Sequence, residues 1–70
     1  MTEKRSIIPK AACTRMLVNS GAKRVSAEAA DVLSDILTEK ALKIAEKAKD
    51  ISHHSGRRTV MADDIKLAAR

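Results

Sequence analysis

From Ser26 to His54 the sequence contains neither glycine nor proline and is dominated by good helix formers. Within that run Ala29, Val32, Leu33, Ile36, Leu37, Ala41, Ile44, Ala45, Ala48 and Ile51 recur at three- and four-residue intervals, the spacing of one helical face. Roughly 28 residues rising about 1.5 Å each make a rod of about 42 Å. A compact domain of 70 residues has no need of so long an element, and short neighbours cannot cover its whole apolar stripe. Uncovered apolar surface of that extent marks an interface. Crossing two identical rods about a two-fold axis covers both stripes. Burying about 1000 Å² of apolar area at about 25 cal/mol/Å² is a gross gain of about 25 kcal/mol before entropic costs. The sequence therefore predicts a dimer that folds as it assembles.

Short helices flank the rod. Residues 1–6 are polar and read as a short flexible tail ahead of a folded domain over 7–70. A first helix of about eleven residues begins near Pro9, where a fixed φ suits a first turn. It carries Ala12, Cys13, Met16 and Leu17 on one face and stops at Asn19-Ser20-Gly21. Ser26 is placed to cap the long helix, with Glu28 and Asp31 near its positive end. Ser55-Gly56 ends it. A third helix opens with Asp63 and Asp64 and carries Met61, Ile65, Leu67 and Ala68. The fold class is all-α, in the order short, long, short. Met16, Met61 and the isoleucine and leucine positions are assigned to the core.

A chain this small has little surplus stability of its own and leans on disulfides, a metal or a partner. Cys13 is the only cysteine, so no intrachain disulfide forms, and no cysteine–histidine group has structural zinc spacing. Association with another chain is left. The lone thiol and the lack of an evident leader or membrane-length apolar run fit a reducing cytoplasm. There is no Phe, Tyr or Trp, which argues against a reader of single strands that stacks bases on aromatic rings.

Net charge is +5, and its distribution is more informative than its size. No acid occurs from Lys4 to Ala27, a window holding Lys4, Arg5, Lys10, Arg15, Lys23 and Arg24. A second acid-free window, Ile51 to Ala62, holds His53, His54, Arg57 and Arg58. Six of the nine acids lie between them. Two basic regions separated along the chain by an acidic helix suggest a polyanionic partner met by both ends of the rod.

Two stretches carry a resemblance. Gly21-Ala22-Lys23-Arg24-Val25-Ser26, with Ala29 beyond it, is similar to the first-loop pattern Gly-Ala-x-Arg-Val-Ser of the archaeal histones. His54-Ser55-Gly56-Arg57-Arg58-Thr59-Val60, leading into Ala62-Asp63-Asp64-Ile65, resembles that family's second-loop pattern and is the more specific of the two. The resemblance extends over about residues 8–70. It implies a histone fold in a handshake homodimer, each first loop beside the partner's second loop, so that the two basic windows form one edge along which double-stranded DNA is held. It implies DNA contacts from Lys10, Arg15, Lys23, Arg24, Arg58 and Thr59, with Arg24 entering the minor groove and Thr59 donating to phosphate. Arg57 and Asp64 match an ion pair that braces the second loop. Ile51, His54, Asp64 and Leu67 match positions where dimers meet as tetramers, and Gly21 matches a small residue that permits stacking of successive dimers. A sister histone could replace the second copy. The resemblance places the protein on the chromosome in the nucleoid. Lys40 stands where such relatives often carry an apolar residue, Lys23 where they are often acidic, and Leu42 falls on the polar face without an evident purpose.

Plainer readings compete at several positions. The basic residues could be solvated surface charge, and Thr59 could cap the third helix. His53-His54 invites a metal reading, but adjacent helical residues point about 100° apart and cannot both face one ion. His54 as an interface histidine, responsive to pH through Asp64 of a neighbouring dimer, is the better reading. Cys13, on the apolar face, reads as a small buried hydrophobe. No glycine-rich phosphate loop, nucleophile–base set or paired carboxylates suggest an enzyme, a cofactor or a small-molecule substrate. The competing function is a histone-fold protein–protein module within a transcription-related complex.

Overall fold

A computed structural model describes residues 7–70, and among them the only regular elements are three helices: α1 (Lys10–Asn19), α2 (Ala27–His54) and α3 (Ala62–Ala68). The expected tail, 1–6, lies outside the described residues. The short, long, short order is as expected from the periodicity.

Local chemistry sets the ends of each helix. Pro9 occupies the cap position of α1 with φ −59°, just outside the helix rather than in its first turn. At the other end Gly21 takes φ +115°, a left-handed conformation that glycine adopts without a Cβ penalty. Its amide donates to Val18 O at 3.0 Å and the Ala22 amide to Leu17 O at 3.1 Å, so orphan carbonyls of the last turn are satisfied. α2 ends in the same way. Gly56 has φ +75°, its amide donates to His53 O at 2.9 Å, and the Arg57 amide donates to Ser52 O at 3.0 Å. Ser26 caps the start of α2 as its position suggested, its Oγ accepting from the Ala29 amide at 3.0 Å.

Two compact units divide the chain, with the boundary inside α2 between Glu39 and Lys40. In the first, the buried positions are Cys13 of α1 and Ala30, Ser34 and Thr38 of α2, the latter three spaced four apart. Ser34 Oγ donates to Ile8 O at 2.6 Å, and the Ile7 amide donates to Thr38 Oγ1 at 3.2 Å, tying the segment ahead of α1 to α2. In the second unit Ala48 and Ser52 of α2 are buried, again four apart, together with Asp64 and Ala68 of α3. Small residues let helices approach closely. Their hydroxyls then need partners, and each of these serines and threonines has one.

The large apolar residues therefore do not occupy the positions assigned to them. Met16 is 46% exposed and Met61 50%, and Ile36, Ile65 and Leu67 are exposed as well. Within each unit the helices pack through alanine, serine, threonine and cysteine, so the bulky side chains of the stripe turn toward a side that the single chain does not cover. In the first unit Leu17, Ala29, Val32, Leu33 and Ile36 line an open apolar groove. Met61 also falls just outside α3, as its cap residue, and Thr59 is two residues too early to cap it.

Candidate nucleic-acid interface

The first unit carries Lys10, Arg15, Lys23 and Arg24, and all four are exposed. Lys23 and Arg24 lie in the connection between α1 and α2, held at one end by the Gly21 turn and at the other by the Ser26 cap. Arg15 stands on α1, two residues beyond the buried Cys13 and so on a different face. Lys10 is not a free cation. Its Nζ lies 2.8 Å from Asp31 Oδ1. The hydrogen bond to Asp31, then the charges of Asp31 and Asp35, raise the Lys10 pKa above its ordinary value against a smaller desolvation effect. Its positive charge is thus partly offset where it stands. Gly21 is exposed, and a Cβ built on it would meet nothing within 4 Å; its conformation, not crowding, calls for glycine.

The second unit holds the connection from Ser55 to Met61, and several bonds define its course. Arg57 Nη1 donates to Asp64 Oδ2 and Nη2 to Asp64 Oδ1, both at 2.9 Å, a bidentate fork that fixes both planes. Nη1 also donates to Thr59 O at 3.1 Å. Ser52 Oγ, fully buried, shares its proton between Arg57 O at 3.1 Å and Thr59 O at 3.0 Å. Asp64, third residue of α3, reaches back to accept from the Met61 amide at 2.8 Å, the carboxylate arm of a capping box. Hydrogen bonds from Arg57 and then from Met61 hold the Asp64 carboxyl down to about 2, against the opposing effect of burial. The same pairing raises the pKa of Arg57.

Neighbouring arginines are thereby given opposite fates. Arg57 is turned inward and half-buried, while Arg58 is exposed beside the exposed Thr59, whose carbonyl is engaged from within. The chemical capacity of this loop is that of an anion-facing edge. A guanidinium and a hydroxyl project from a backbone whose course is fixed from beneath, so little ordering entropy is left to lose on binding.

The remaining sequence-predicted residues are also placed. Ile51 is half-buried, His54 is exposed and Leu67 is 54% exposed. Asp64 is 3% exposed, with both oxygens already accepting hydrogen bonds. It offers far less surface to a neighbouring molecule than the other three. Cys13 is buried, the environment of a packing residue. Among the described residues no three His, Cys, Asp or Glu side chains gather as a metal site, and no helix is long and apolar enough to cross a membrane. Sequence reasoning overlooked Ser34, Thr38 and Ser52. The signal available was their spacing of four from each other or from Ala30 and Ala48, a stripe of small residues beside the larger apolar one.

Comparison with known proteins bears on what such an edge is for. Residues 7–69 match the family described as histone-like transcription factor (CBF/NF-Y) and archaeal histone. The chain is 40% identical over 63 residues to the archaeal histone HAN1 of Thermococcus zilligii, an overlap of 90% of this chain and 94% of that protein. It is 43% identical over 63 residues to probable archaeal histone 3 of Methanocaldococcus jannaschii, with the same coverage of each.

Proposed function

Because the chain belongs to the family of histone-like transcription factors (CBF/NF-Y) and archaeal histones, we propose that it binds and compacts double-stranded DNA with little regard to sequence, as a dimer. The observation that carries this reading is the division of labour between Arg57 and Arg58. One arginine is used to brace the second loop so that the other, with Thr59, is presented outward. Structural bracing beneath an exposed cation is what a phosphate contact requires. The chain is not an enzyme, in keeping with its family.

The exposed bulky residues supply the reason for a dimer. Val32, Ile36, Ile65, Leu67, Met16 and Met61 are together too much apolar surface to leave in water, and a second copy or a sister histone crossing α2 covers them. In the handshake arrangement each first loop lies against the partner's second loop. Lys23 and Arg24 of one copy then join Arg58 and Thr59 of the other in one basic edge at each end, with Arg15 between. DNA bends along this edge, held at phosphates, with Arg24 in the minor groove, where narrow grooves attract guanidinium. Lys10 contributes least, since Asp31 already holds it. Dimers join further through Ile51, His54 and Leu67, with Asp64 beneath them, and Gly21 leaves room for successive dimers to stack. Such a protein acts at the chromosome, within the nucleoid.

The family description also includes transcription factors, which supports a second reading as a protein–protein interaction module. The affinity for random-sequence duplex DNA across a salt series separates the two. Each phosphate neutralised contributes about −0.9 to the slope of log K against log salt. The expected result is a slope of several units that Arg24→Ala and Arg58→Ala each flatten by about one. Weak binding with a shallow slope, in a protein still helical and dimeric, rejects packaging and leaves the protein–protein reading.

A further inference from the structure

Lys40 interrupts the apolar face of α2, and we infer that it selects the partner: the chain pairs preferentially with a second histone-like chain bearing a carboxylate at mid-helix, rather than with an identical copy. The inference rests on the dimer reading above. In the sequence Lys40 continues the three–four spacing of Leu33, Ile36, Ile44 and Ile51, in a place where the pattern calls for an apolar side chain. It is exposed, and among the described residues no ion pair engages it. Its own helix cannot neutralise it. The positions three and four away on either side are Ile36, Leu37, Lys43 and Ile44, none of them acidic and one a second cation.

Lys40 is the fourteenth residue of the 28 in α2, at its centre. Uncovered apolar residues lie to both sides of that centre, Val32 and Ile36 before it and Ile65 and Leu67 in the unit after it. Two helices that cover both sets must cross near their midpoints. About a two-fold axis the residue nearest the axis faces its own copy. An identical partner thus sets Lys40 against Lys40, with Lys43 adding to the repulsion, in a contact from which water is being withdrawn. A partner with Glu or Asp at that place turns repulsion into attraction, which is how interfaces reject a wrong partner and fix the right one.

The test uses full-length wild-type protein, Lys40→Glu and Lys40→Met, distinguished by mass and mixed in pairs, with dimers counted by native mass spectrometry and helicity checked by circular dichroism. The expected result is that wild type and Lys40→Glu form mixed dimers well above their statistical share. Their dissociation constant should be about tenfold below that of the wild-type homodimer, a difference of about 1.4 kcal/mol. The excess should shrink in 1 M salt, where the screening length falls to about 3 Å. Lys40→Met should also form a tighter homodimer than wild type. Statistical mixing together with an unimproved Lys40→Met homodimer overturns the inference and leaves the dimer reading standing. Monomers alone in every mixture overturn both.

Discussion

The two connections flanking α2 begin alike and finish differently. Each opens with a glycine in the left-handed region and the same pair of amide-to-carbonyl bonds, Gly21 and Ala22 in one, Gly56 and Arg57 in the other. Beyond that turn, the first connection receives only the Ser26 cap, and its two cations project from it. The second is bound from inside by Ser52, Arg57 and Asp64. Two basic loops can therefore present charge by different means. One leaves Arg24 free to adapt its reach, as entry into a groove of variable width demands. The other commits one arginine and one aspartate to fixing where Arg58 and Thr59 stand.

On that contrast, the greatest loss of stability comes from the brace. Asp64→Ala leaves the half-buried Arg57 guanidinium without its counter-ion and frees the Met61 amide. The expected melting temperature, at fixed protein concentration, falls further than for any other substitution considered, and Arg58 contributes less to DNA affinity once its loop is loose. Titration offers a gentler break. The folded Asp64 carboxyl is lowered from 3.8 to about 2, so its stabilisation is complete above the unfolded value and disappears as pH falls from 3.8 toward 2. Helicity followed by circular dichroism should decline through that window in wild type, whereas Asp64→Asn should lose this part of the dependence and start from a lower stability at neutral pH.

Intermediate effects are expected from the buried hydroxyls. Ser52→Ala removes the donor that two loop carbonyls share, and Ser34→Ala the donor to Ile8 O. Each should cost about 1–2 kcal/mol, roughly 4–8 °C or more in a domain of this size. The two part company in DNA binding. Ser52→Ala should weaken it through the second loop, and Ser34→Ala should leave it nearly unchanged. Equal effects on affinity would mean that bracing of the second loop is irrelevant to its charge.

The smallest change concerns Lys10. Lys10→Ala should alter DNA affinity less than Arg24→Ala or Arg58→Ala, while Asp31→Ala, by releasing Lys10, should steepen the salt dependence slightly. A Lys10→Ala loss as large as that of Arg24→Ala would show that the ion pair opens readily in favour of DNA.

Much of the chain was legible beforehand because its local signals agree with one another. Pro9, Gly21, Ser26 and Gly56 each act through their own backbone or a near neighbour, so spacing alone located all three helices to within a residue or two. The core was misjudged for a related reason. Hydrophobicity says that Met16, Ile36, Met61 and Leu67 seek cover, but not whether this chain or another supplies it. Serine and threonine in a helix look like surface residues until a carbonyl or amide of a neighbouring segment is brought within reach, as happens to Ser34, Thr38 and Ser52.

Sequence by itself determined the helical class, the helix ends, the segregation of charge into two windows and the family to which the loops belong. These follow from periodicity and from residues acting on their immediate neighbours. Only the tertiary structure decided that small residues form the packing within each unit, that Lys10 is occupied by Asp31, and that of two adjacent arginines Arg57 turns in and Arg58 out. Those outcomes depend on pairs such as Lys10 with Asp31 and Arg57 with Asp64. The distance between such residues is set by how one helix lies on another, and no local pattern records it.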